Sequence, residues 1–129
     1  MAQVKIYGLR NSLNSIQSKL SDIVHETIVD VLQFPQEKRY HRFFKMEEGD
    51  MVFPKEKSAS YTIIEIMMMH GRTQETKKQL IYTLFEKIEN KLAIVKSDIE
   101  IVIIESEPTN WGFRGMVGDE IALEYKVKI

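Results

Sequence analysis

Two stretches of this sequence repeat one pattern, and that pattern leaves few folds open. Leu13, Ile16, Leu20, Ile23, Val24, Thr27, Ile28, Val31 and Leu32 recur at helical spacing, as do Leu80, Ile81, Leu84, Phe85, Ile88 and Leu92. At one fixed offset Leu20 aligns with Leu80, Val24 with Leu84, Ile28 with Ile88 and Leu32 with Leu92. Any two helices share a period, so the constraint comes from what flanks them. "QVKIYGL" alternates ahead of the first helix, and the strand-like "RYHRFFKME" follows it. "YTIIEIMMM" and "DIEIVIIE" flank the second in the same way. The chain reads β-α-β twice, which predicts parallel strands within each unit and a right-handed crossover between them. Two such units side by side give an α+β fold: a four-stranded sheet with both helices on one face, plus short strands near the C-terminus. We expect one domain over residues 1–129, with pseudo-repeats 1–58 and 59–129.

The punctuation fits this order. Asn11 or Ser12 is positioned to cap the first helix, which must end before Pro35. Thr73 is the expected N-cap of the second helix, with Glu75 in its first turn. "EGDMVFPKEKSAS" between the units is a loop. "IEIMMM" and "IEIVII" are apolar on both sides, so the sheet face away from the helices needs a cover. A symmetric oligomer supplies one economically.

Bulk properties exclude several classes. A chain of 129 residues, 43% apolar and 29% charged, builds a globular core without staples. The net charge of −1 gives no global field for nucleic acid or an anionic membrane, so an anion site must come from local Arg and Lys. With no cysteine there is no disulfide, thiolate metal site or cysteine nucleophile, as expected in a reducing compartment. The apolar run Ile63–Met69 is broken by Glu65 and is far shorter than the roughly 20 residues a membrane helix requires. The N-terminus enters a strand directly, without a signal-peptide pattern, and the expected location is cytoplasmic. Three histidines without metal-ligand spacing predict no metal site, and no nucleotide-binding or serine-hydrolase motif is present. No cofactor is expected.

Four places could carry chemistry. "PTNWGFRGMVGDE", residues 108–120, holds the only tryptophan and half of the six glycines, with Arg114 between Phe113 and Gly115. Trp111 and Phe113 either wall a pocket for a small anion or pack an interface between subunits. Glycines there allow close approach to a neighbouring subunit. Arg114 either charges that pocket or joins an intersubunit ion pair. In "HGRT", Arg72 lies between a strand end and a helix start, where its guanidinium and backbone N–H groups suit an anion. The bland alternative is a solvated turn arginine. His70 is either a proton-transfer group and second anion donor or a satisfied strand-end histidine. In "KRYHRFFK", alternation puts Arg39, His41, Phe43 and Lys45 on one face and Tyr40, Arg42 and Phe44 on the other. That stretch is a charged edge strand, a carboxylate site through Arg39 or Arg42, or, against the charge balance, a nucleic-acid contact. His25 falls off the apolar stripe of its helix and is expected in solvent.

Four segments together resemble one family. The opening "MAQVKI", the "FPQEKRYHRFFK" stretch, "IIEIMMMHGRTQETKKQLIYTL" and "NWGFRG" are similar to the tautomerase superfamily, within it the group like malonate semialdehyde decarboxylase. The resemblance implies a duplicated β-α-β fold assembled as a homotrimer, with sites at subunit boundaries. It implies keto–enol tautomerisation, or a related proton transfer or decarboxylation, on a small carboxylate. Arg72 matches the family arginine that holds the carboxylate, and Trp111 and Phe113 match its pocket aromatics. Ala2 stands where the family carries a catalytic N-terminal proline, exposed once Met is removed. Lys38 stands where the decarboxylases carry an acidic residue. The expected machinery is therefore Arg72, His70 and the amine at Ala2, with Arg39, Trp111, Phe113 and Arg114 binding substrate. A non-catalytic trimeric binding protein that has lost the proline-based activity is the alternative.

Overall fold

The computed structural model describes all 129 residues. Strand β1 (Ala2–Leu9) runs directly into helix α1 (Arg10–Leu32), and β2 (His41–Met46) follows. A long loop leads to β3 (Thr62–Met69), helix α2 (Gln74–Leu92) and β4 (Ile99–Ser106), and a small hairpin, β5 (Gly112–Phe113) and β6 (Met116–Val117), lies beyond. The four long strands form one sheet in the order β2-β1-β3-β4. β1 and β2 are parallel, as are β3 and β4, and the two units join through the antiparallel pair β1 and β3. This is the α+β architecture expected from the repeated pattern.

Period-2 burial shows why the strands read as they do. Ala2, Val4 and Ile6 of β1, with Ile64, Ile66 and Met68 of β3, are buried toward the helices. Leu13, Leu20, Val24 and Leu32 of α1 and Leu80, Leu84 and Ile88 of α2 meet them in one core. Each such side chain contributes roughly 1.5–3 kcal/mol by leaving water. The opposite sheet face is uncovered within the protomer. It shows exposed Phe44, Val102 and Ile104, with Tyr7 hydrogen-bonded to Glu65 and stacked on Phe44.

Both helices stop by the same device. Gln33 and Ala93 adopt left-handed φ of 52° and 56° and return their N–H groups to Val29 and Glu89 carbonyls. α1 ends before Pro35 as expected, and Thr73 caps α2 by accepting the Thr76 N–H at 3.2 Å. The start of α1 differs from expectation. Neither Asn11 nor Ser12 caps it: Leu9 is the cap residue, without a side-chain bond, because the strand passes straight into the helix. Ser12 instead donates to the Ala59 carbonyl at 2.7 Å and ties the helix start to the long loop.

His25 also departs from expectation. It is buried, with Nε2 donating to the Gln36 carbonyl at 2.6 Å, because residues after Leu32 fold back over that flank of α1. β2 is an edge strand. His41 lies against α1, bonded to Ser21 at 2.8 Å, while Arg42 reaches Gln3 on the open face.

Candidate active site

The end of the sheet where β1 begins and β3 stops carries the chemistry. Met1 precedes β1, and its carbonyl accepts the Met69 N–H at 3.3 Å, so the first residue is pinned beside the end of β3. Lys38, Tyr40, Phe113, Arg114 and Tyr125 line a cleft of about 140 Å³ together with Met1. The Met1 amine hydrogen-bonds the Tyr125 hydroxyl. Burial, reinforced by the Arg72, Arg114 and Lys38 cations, lowers the amine from its ordinary 8.0 to about 5. At neutral pH it is an uncharged base. Desolvation raises the Tyr125 phenol, against the pull of Arg72 and Arg114, so it stays protonated.

Arg72 lies beneath this group. The Gly71 backbone has φ +148°, and a Cβ there would meet Val127 Cγ1 at 2.8 Å, so only glycine fits the turn between β3 and α2. The turn sends Arg72 inward rather than into solvent. It is 4% exposed, and Nη1 donates to the Met69 carbonyl at 3.3 Å. Nε and Nη2 are buried without any partner. Desolvation lowers its pKa against the attraction of Tyr125 and Glu105. Glu105, at the end of β4, is already bonded by Lys77 at 2.8 Å. A buried guanidinium with two idle N–H groups is an anion site in waiting, because unpaired buried charge is costly.

The C-terminal hairpin closes the cleft. Arg114 and Gly115 form its two-residue turn, both with positive φ, 55° and 73°. The Arg114 guanidinium lies 5.8 Å from the centre of the Phe113 ring, which meets Trp111 edge-on at 6.5 Å. The Trp111 Nε1–H is buried without a partner, as in Arg72. Gly118 is needed for packing within the chain, not against a neighbour. A Cβ there would sit 2.5 Å from the Pro108 carbonyl oxygen and 2.8 Å from the Met69 methyl.

The structure thus brings Arg72, Phe113 and Arg114 together at one end of the sheet, with Trp111 behind Phe113. It leaves out three other candidates. His70 is exposed and points toward Glu105, 3.8 Å from its carboxylate. Arg39 pairs with Asp22 of α1 at 2.6 Å, away from the cleft. Ala2 is a buried strand residue paired with Met68; its nitrogen is a peptide nitrogen, and the free amine in the cleft belongs to Met1. Tyr125 was invisible in the sequence: "ALEYKVKI" has no motif, and only its path back along the sheet end, where it also packs on Phe34 at 4.8 Å, gives it a role. No group of three or more His, Cys, Asp or Glu side chains is gathered to hold a metal ion, and no helix is long and apolar enough to cross a membrane.

Comparison with known proteins agrees with this geometry. The family model described as tautomerase enzyme matches residues 38–114, a span from the cleft lysine to the hairpin arginine. The probable tautomerase YrdN of Bacillus subtilis (strain 168) is 25% identical over 99 residues, covering 74% of this chain and 77% of that protein. Among solved structures, a malonate semialdehyde decarboxylase inhibited by 3-bromopropiolate superposes with a TM-score of 0.80 at 24% identity, over 94% of this chain and 98% of that one. A fused 4-OT solved as an asymmetric trimer reaches 0.80 at 19% identity, over 92% and 97%. These two likenesses establish the fold, and the family match, spanning more than half of the chain, establishes the lineage: this chain belongs to the tautomerase family.

Proposed function

We propose that the cleft binds a small carboxylate carrying a keto or enol group and moves a proton at the carbon next to the carbonyl. The observation that carries this is Arg72: a buried guanidinium with two unpartnered nitrogens, close enough to the Met1 amine to help hold it unprotonated. Arg72 takes the substrate carboxylate and stabilises negative charge as it develops on the enolate oxygen. The uncharged amine accepts the enol hydroxyl proton as the carbonyl forms, and a proton returns from the ammonium to the adjacent carbon. Tyr125 fixes the amine's position, and Phe113 and Trp111 exclude water. His70 has no part in this scheme.

A homotrimer belongs to the same proposal. The uncovered sheet face with exposed Phe44, Val102 and Ile104 needs a partner surface, and the fused 4-OT structure of the same fold is a trimer. Sedimentation tests it, and a monomer at micromolar concentration refutes it.

One observation favours a second reading, a trimeric binding protein without catalysis. The proton-transfer group here is a primary amine one residue ahead of Ala2, not the secondary amine that the family resemblance leads one to expect. Ketonisation of phenylenolpyruvate separates the readings, on protein whose first residue has been fixed by intact mass. Catalysis is expected in the parent. Arg72→Ala should lose about 100-fold or more in kcat/KM, in keeping with the removal of one preorganised charge donor. Parent activity unchanged by Arg72→Ala refutes the proposed site. Carboxylate binding without turnover selects the second reading.

A further inference from the structure

The charge arrangement around the cleft says more about the ligand than that it is an anion. Nine ion pairs join the chain's charged side chains, and none includes Arg72, Arg114 or Lys38. Acidic residues are not scarce, at 19 against 18 Lys and Arg. Elsewhere on the surface, Arg10, Arg39, Lys57, Lys77, Lys87, Lys91 and Lys96 all find carboxylates. At this cleft three cations converge and no carboxylate lines it. Glu105 attracts Arg72 from behind, but it is bonded to Lys77.

The three cations form two groups. Arg72 is buried, lies in the turn after β3 and is not among the lining residues. Lys38 and Arg114 belong to the lining itself, one from the approach to β2 and one from the hairpin turn. Arg114 holds its place at a cost. Its φ of 55° is in the left-handed region, where a side chain costs on the order of 1–2 kcal/mol and where two-residue hairpins ordinarily use Asn, Asp or Gly. Its guanidinium has no hydrogen-bond partner and only the Phe113 ring nearby. Strain retained at a cleft beside unpaired charge points to a ligand that uses it.

A ligand with one carboxylate on Arg72 leaves Lys38 and Arg114 facing each other unpaired. A second carboxylate would pair them. We infer that the preferred substrate is a short dicarboxylate with the keto or enol group between its two carboxylates, the inner one on Arg72 and the outer one on Lys38 and Arg114. The inference rests on the carboxylate site proposed above and adds the second subsite. The small volume of the cleft favours a chain of a few carbons.

Calorimetric titration of the whole protein with succinate and with succinamate, its half-amide of nearly the same shape, tests it at low ionic strength. Succinate should bind about tenfold or more tightly, the worth of one added charge-assisted contact. In Lys38→Gln, Arg114→Gln and the double variant, the ratio between the two ligands should fall stepwise toward one, with thermal unfolding showing that each variant is folded. Salt should compress the parent's ratio as it screens the outer pair. Equal binding of succinate and succinamate by the parent overturns the second subsite and leaves the carboxylate site standing. Failure of both ligands to bind overturns the site itself. A preference for succinate that survives the double variant overturns the assignment to Lys38 and Arg114.

Discussion

Arg72 should make the empty protein less stable, and removing its charge should show this. The guanidinium is 4% exposed and makes one hydrogen bond, to the Met69 carbonyl, while Nε and Nη2 have no partner. Each orphaned buried donor costs about 1–3 kcal/mol, which gives roughly 2–6 kcal/mol for two. Arg72→Met removes that cost and keeps an apolar stem of similar length. It loses the bond to Met69, worth about 1.5–3 kcal/mol for a charged donor, and the attraction of Glu105, which Lys77 continues to hold. The balance is a stabilisation of about 1–2 kcal/mol, in line with other buried charges replaced by apolar side chains. For a domain of this size that raises Tm by about 4–8 °C. Urea unfolding with an unchanged m-value, alongside calorimetry, reads the effect, and the same variant should lose succinate binding. A variant destabilised by more than about 1 kcal/mol would refute the reasoning. It would mean that Arg72 is a structural cation whose nitrogens are satisfied in solution, not a site held open for a ligand.

Other consequences can be checked with similar means. Burial lowers the Met1 amine from 8.0 to about 5, and burial, with His25 and Arg39 nearby, lowers His41 from 6.5 to about 4. Both groups are depressed bases, so the unfolded chain binds more protons at intermediate pH, and stability should fall as pH drops from 8 toward 4. Stability that is flat across that window contradicts both assignments. Gly118→Ala should cost about 1–3 kcal/mol by overpacking against the Pro108 carbonyl, and it should change the fluorescence of Trp111, whose Cβ is 3.0 Å from the added methyl. His25→Ala should cost about 2–3 kcal/mol, because it leaves the Gln36 carbonyl unpaired and opens a cavity in the buried flank of α1. A neutral result in urea unfolding would put His25 back in solvent.

The fold was legible in the sequence because period and punctuation agreed. Apolar residues at helical spacing marked α1 and α2, and Pro35 and Thr73 bounded them. The alternation of β1 and the doubly apolar β3 placed the sheet. Register was legible as well, since a shift of one residue would turn Val4, Ile6, Ile64 and Ile66 away from the helices. The site was legible only where a side chain's position follows from its own strand or turn. Arg72 and Phe113 were found for that reason. Arg39 and His70 have the same chemistry, but a partner on another element takes each of them, Asp22 on α1 and Glu105 on β4. Partners of that kind are long-range and leave no mark on local spacing. Tyr125 was missed for the converse reason: a tail without periodicity reaches the cleft by tertiary packing alone. His25 shows the same limit within a helix, because the segment that buries it lies beyond the helix end.

The account depends on cations gathering around an unprotonated amine in the cleft. The most direct measurement is an NMR titration of that amine in nitrogen-15 methionine-labelled protein, with the first residue verified by mass. The parent should titrate near pH 5, and Arg72→Met should move the midpoint upward by removing one of the named cations. A parent midpoint near 8, indifferent to Arg72, would contradict the account.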